Sequence, residues 1–171
     1  MLSGRENALE RKSMLCVVGC GNSTRSDDGV GVFVARALRQ HLQDHPNPHV
    51  RAFDAGSGGM DVMFHARGAD RLIVVDAART GSQAGAIFKV PGKVLESVPD
   101  RGPGLHDFRC RHALAAGRKI FGAFFPTDVT VFLIEAGCLD FGPELTEPVR
   151  RSGLKVLEEI LAMIQNHPKQ P

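Results

Sequence analysis

Met14-Leu-Cys-Val-Val-Gly-Cys-Gly-Asn-Ser-Thr-Arg-Ser-Asp-Asp-Gly-Val-Gly31 is the stretch that decides the fold. Its first five residues are a short apolar run ended by Gly19, which reads as a strand buried on both faces. Past Gly29 the apolar period changes. Val30, Phe33, Ala37, Leu38 and Leu42 form a helical stripe that Asp44-His-Pro-Asn-Pro48 breaks. A buried strand, a glycine-rich turn and an amphipathic helix are the opening of a β-α-β unit.

The same alternation continues along the chain. Residues 49–54 read as a second strand, and 60–67 as a short helix behind a Gly-rich turn. Residues 71–76 (RLIVVD) are the clearest buried strand, and 86–90 a weaker one suited to a sheet edge. Residues 107–121 are helix-like, 128–136 form a β-branched strand, and 146–164 carry Leu154, Leu157, Ile160, Leu161 and Ile164 on one helical side. Continuous apolar strands between helices predict an α/β three-layer sandwich: a mainly parallel, twisted sheet of about five strands with helices on both faces. Residues 14–165 form the single domain in this reading, between a polar, flexible extension (1–13) and a short tail (166–171).

Across 171 residues, 21 Lys+Arg stand against 19 Asp+Glu, so the net charge is only +2. That balance offers no concentrated basic face for nucleic acid. Trp and Tyr are both absent, which leaves base stacking to Phe alone. No apolar run approaches the roughly 20 residues of a membrane span. The polar start MLSGRENALERKS has no apolar segment of the signal-peptide kind, so a soluble, cytoplasmic protein is expected. Cys16, Cys20, Cys110 and Cys138 form no CxxC pair. A cytoplasmic chain of this size folds without disulfides, so all four are expected as buried, apolar-like side chains.

Gly19-x-Gly21 after a strand invites a dinucleotide reading, because Gly lets backbone approach a pyrophosphate. The third glycine is missing, and Asp27 and Asp28 occupy the place phosphate would need. Two like charges about 4 Å apart repel by ~4 kcal/mol near a surface. A helix N-terminus returns about 0.3–1 kcal/mol, so repulsion wins. One of the two carboxylates suffices to cap the helix starting at Gly29. The other is left for solvent or for function.

Ligands in such folds gather at the carboxyl ends of the strands, where strand order reverses. Asp76 ends the most apolar strand, and His106 stands in the loop Arg101-Gly-Pro-Gly-Leu-His-Asp-Phe108 before a helix. If Asp28, Asp76 and His106 converge, they make a two-carboxylate, one-imidazole metal site with open positions. Cys110, one helical turn beyond His106, and His112, six residues beyond it, are rival ligands. Asp54-Ala-Gly-Ser-Gly-Gly59 follows the second strand as either a tight turn or a contact surface for a ligand. No GxSxG elbow supports a serine hydrolase.

The order GCGNSTRSDDGVG, FDAGSGG, LIVVDAA and a loop His before a helix resembles the hydrogenase maturation proteases. These endopeptidases trim the C-terminal tail of the large subunit of nickel–iron hydrogenases. The resemblance covers roughly residues 14 to 165 and implies a twisted sheet with helices on both faces. It assigns Asp28, Asp76 and His106 to the metal-binding positions, with Asp28 and Asp76 as the catalytic carboxylates. Asp54, Gly56 and Ser57 become substrate contacts. It further implies that nickel arrives with the substrate, that no nucleotide is used, and that the partner is the large-subunit precursor, met by a monomer. This chain departs from the family pattern in having Asp28 where Glu is usual, Asp54-Ala-Gly-Ser57 for Asp-Gly-Gly-Thr, and a serine-free loop Gly104-Leu-His-Asp107. The alternative readings are a non-catalytic maturation chaperone and a Rossmann-like nucleotide- or S-adenosylmethionine-binding enzyme.

Overall fold

The apolar run that opens the chain becomes β1 (Leu15–Gly19), and every one of its side chains is buried. The computed structural model describes residues 13–97 and 110–166. After β1 come a one-turn 3-10 helix, Ser26–Gly29, and α1 (Val30–Asp44). Then follow β2 (Val50–Asp54), α2 (Asp61–Ala66), β3 (Arg71–Ala78), β4 (Ile87–Pro91) and α3 (Gly92–Ser97). The chain closes with α4 (Cys110–Phe121), a short 3-10 turn, β5 (Asp128–Glu135) and α5 (Glu147–Gln165).

The five strands form one sheet in the order β2-β1-β3-β5-β4. All neighbours are parallel except β4, which runs antiparallel on the edge against β5. Alternate exposure and half-burial along β4, and Pro91 at its end, suit that edge position. The predicted sandwich is therefore present. On one face Leu15, Val17, Ile73 and Phe132 pack with Val34 of α1 and Val156 of α5. On the other, Cys16, Val18, Val74 and Leu133 pack with Val62 of α2, Leu95 of α3 and Leu114 of α4. Consecutive residues of β1 thus serve opposite cores, which is why its sequence is apolar without alternation.

Two differences from the sequence reading are local. α3 was not expected, because six residues holding one buried apolar side chain, Leu95, show no period. The turn after β1 enters its helix through a 3-10 turn rather than starting α-helical at Gly29. The start of the expected helix 107–121, the extension 1–12 and residues 167–171 lie outside the described residues. Among the described residues, no helix is long and apolar enough to cross a membrane.

Because β1 lies between β2 and β3, the chain leaves it to one side and returns on the other. The strand order reverses at the carboxyl end of β1, where folds of this kind form a crevice.

Candidate active site

Close packing of the first turn builds this crevice. A Cβ on Gly19 would strike the Gly31 carbonyl, and one on Gly31 would strike the carbonyls of Val75 and Cys20. Gly21, at φ +129°, would meet the Asp28 carbonyl. The glycines that suggested a phosphate cradle are thus used up by chain-on-chain contact, and they press the start of α1 onto the ends of β1 and β3. Ala55 N donates to Gly19 O at 2.9 Å and Gly21 N to Gly56 O at 2.9 Å, tying the turn after β2 into the same rim.

Asp27 and Asp28 sit side by side on the 3-10 turn and face different tasks. Neither caps α1, whose N-cap is Gly29 with no side-chain cap bond. Asp27, expected as a cap, a solvated acid or a site acid, is fully buried. It accepts Gly137 N and Cys138 N at 2.8 Å each, Thr146 N at 2.7 Å, and the Thr146 hydroxyl. It is a clamp on the segment between β5 and α5. Ser26 beside it takes φ +45° while its N–H donates to Gly142 O and its hydroxyl to Glu144 O. Asp28 is 7% exposed, and its Oδ2 accepts Asn22 N at 3.2 Å from within the turn.

Asp76 does not end its strand, since β3 continues to Ala78. It is instead the first residue of β3 beyond its last pairing with β1, Gly19 against Val75. There it is 2% exposed, with Oδ1 accepting the Ala77 N–H at 2.9 Å. Cys20, whose N–H donates to Val75 O at 2.8 Å, turns in beside it. Cys110, the first described residue of α4, reaches the same place. The Cys20 and Cys110 sulfurs meet as a disulfide pair, with Cα atoms 7.5 Å apart. One ligand atom each from Cys20, Asp76 and Cys110 lie within 4.8 Å of one another, all three residues buried.

This corrects the expectation of four isolated, buried thiols. Cys16 alone meets it: buried and free, with its thiol pushed up to about 12 by burial against the opposing pull of the Arg51 charge. Cys138 is free and half-buried.

Of the expected metal-binding trio, Asp28 and Asp76 lie on elements that pack together, the 3-10 turn against β3. Asp28 does not join the close Cys20–Asp76–Cys110 group, and His106 lies outside the described residues. The rival His112 is exposed on α4, and the rival Cys110 is drawn into the buried group. Asp54 ends β2 beside Gly19, accepts Gly56 N at 2.9 Å and pairs with Arg36 at 2.9 Å. It shapes its own turn, which leaves Gly56 (φ +58°) and the exposed Ser57 on the rim.

Sequence reasoning missed Glu135, 3% exposed, which accepts Thr80 N, Gly81 N and the Thr80 hydroxyl at 2.8–2.9 Å. Its one signal was an acid ending an otherwise apolar β-branched run, Val129–Ile134.

Fold and rim together define a doubly covered, mainly parallel α/β protein whose switch point gathers the buried Asp28 and Asp76 carboxylates and the Cys20–Cys110 pair, with no open glycine cradle for a phosphate among the described residues of the turn after β1. Residues 32–163 match the family model described as hydrogenase maturation protease. The chain belongs to that family. It is 36% identical over 78 residues to coenzyme F420 hydrogenase subunit delta of Methanothermobacter thermautotrophicus, covering 44% of this chain and 49% of that protein. It is 30% identical over 153 residues to the hydrogenase expression/formation protein HoxM of Azotobacter vinelandii, covering 86% of this chain and 72% of that protein. The chain thus spans about half of the first relative and most of the second. Its fold superposes on the hydrogenase maturating endopeptidase HybD from E. coli with a TM-score of 0.70 at 24% identity, over 89% of this chain and 92% of that one.

Proposed function

We propose that this chain is the endopeptidase that removes the C-terminal tail from a nickel-loaded precursor of a nickel–iron hydrogenase large subunit, working as a monomer in the cytoplasm. The nickel is part of the substrate. Asp28 and Asp76 receive it at the carboxyl edge of β1 and β3, with His106 as the third ligand, and its binding sets the scissile peptide in place. Bound nickel supplies Lewis acidity toward the carbonyl or the attacking water. A carboxylate of Asp28 or Asp76 not engaged with the metal accepts the proton of that water, an aspartic type of hydrolysis. Asp54, Gly56 and Ser57 line the approach for the substrate backbone.

The observation that carries this reading is the pair of buried acids on the switch-point rim of a chain from the hydrogenase maturation protease family. A processing assay tests it, with nickel-loaded and nickel-free precursor run in parallel and the released peptide read by mass spectrometry. Cleavage is expected only with nickel. Asp76→Asn is expected to slow it at least ~100-fold while the far-ultraviolet circular dichroism stays that of the wild type. Equal cleavage of both precursors would remove nickel from recognition, and normal processing by Asp76→Asn would remove that carboxylate from the mechanism.

A further inference from the structure

The peptidase reading uses Asp76 and leaves Cys20 and Cys110 without a task. Both sulfurs are buried and paired with each other, they come from distant parts of the chain, and they converge on the Asp76 carboxylate. We propose that, with both thiols reduced, Cys20, Cys110 and Asp76 form a binding site for a thiophilic divalent cation of the zinc type.

Three features support a shared ion over a permanent covalent bridge. The Cα atoms are 7.5 Å apart, beyond the about 4.4–6.8 Å that disulfides usually span. Putting an ion between the sulfurs replaces one S–S bond of ~2.05 Å with two metal–sulfur bonds of ~2.3 Å, which suits the wider spacing. The third donor is a carboxylate, which a disulfide has no use for and which completes a three-ligand set with one position open. Two thiolates and a carboxylate are also the donor types that favour a zinc-like ion over magnesium or calcium.

The anchoring is rigid on two sides. Cys20 is fixed by its N–H bond to Val75 O, and Asp76 follows Val75 directly in β3. Cys110 rides on α4, which packs its Ala113 and Leu114 into the core. Binding releases two thiol protons to solvent and leaves the charge of the site at one negative, so affinity falls as pH is lowered. Cation binding here requires no peptidase activity. Where the peptidase reading also holds, an ion on Asp76 competes with the substrate's nickel for that carboxylate.

The test uses the full chain, reduced and freed of metal, in equilibrium dialysis against Zn2+. One equivalent is expected to bind with release of two protons, and Cys20→Ser and Cys110→Ser are each expected to weaken binding by at least ~100-fold. X-ray absorption at the zinc edge of the wild-type complex needs no variant and is expected to report two sulfur neighbours at about 2.3 Å. Zinc held by nitrogen and oxygen alone overturns the proposal, as does undiminished binding by folded serine variants. A thiol count that finds Cys20 and Cys110 still bridged under reductant, with no zinc taken up, overturns it equally.

Discussion

Asp27 and Asp76 are both acids buried at the carboxyl end of the sheet, and their surroundings are opposite. Asp27 accepts three backbone N–H groups and a hydroxyl, all from residues 137–146. Asp76 accepts the N–H of its own neighbour and faces two sulfurs. The first is wired into the fold, because each donor it satisfies would otherwise be buried without an acceptor. The second faces the Cys20–Cys110 sulfur pair, whose two halves lie 90 residues apart in the chain. Burial and charge alone do not show that Asp27 holds the fold together; its backbone donors from a distant segment do. Glu135 falls on the Asp27 side, with donors from the Thr80–Gly81 turn.

Replacing the wired acid breaks the comparison most visibly. Asp27→Ala leaves Gly137 N, Cys138 N and Thr146 N without their acceptor and is expected to cost about 4 kcal/mol. For a chain of this length that lowers Tm by roughly 8–16 °C in calorimetry. A shift below about 2 °C would show that the loop finds other acceptors and that Asp27 is no clamp. Glu135→Gln is milder. The amide keeps one oxygen for the turn but presents an NH2 where a second acceptor stood, so the expected loss is about 2 kcal/mol, read as the change in urea midpoint at constant slope. An unchanged midpoint would show that the Thr80–Gly81 turn does not depend on Glu135.

The contrast also marks what was legible in the sequence. β1, β3 and α1 were readable because their apolar period is set locally; the crevice depends on the strand order, which the structure supplies. Asp76 and Asp28 were found as acids where the chain should be apolar or capped. The role of Asp27 was not legible, since its partners lie 110 and 119 residues away. The meeting of Cys20 with Cys110 spans 90 residues and depends on how α4 is laid on the sheet. Strand direction in β4 was equally hidden, because an edge strand of five residues pairs either way until its connections are known. Short-range periodicity carries the layers, and long-range pairing carries the site.

Cys16 sharpens the comparison from the side of the thiols and has the smallest expected effect. It lies on β1 two strand repeats before Cys20, facing the same core, with its Sγ donating to His65 O at 3.4 Å. Burial raises its pKa from 9.0 to about 12, so the folded chain holds that proton where the unfolded chain has lost it. Stability from this group is therefore complete below the unfolded value and declines as pH rises from about 9 toward about 12. At pH 10 the loss is on the order of 1 kcal/mol. Chemical denaturation at pH 7 and pH 10 should show that difference in the wild type and a smaller one in Cys16→Val, which has no proton to lose. The same thiol should resist alkylation in the folded, reduced chain at pH 8.5. Rapid labelling of Cys16, or an alkaline loss that survives Cys16→Val, would mean that β1 opens at this point, and the rigid platform assigned to Cys20 would go with it.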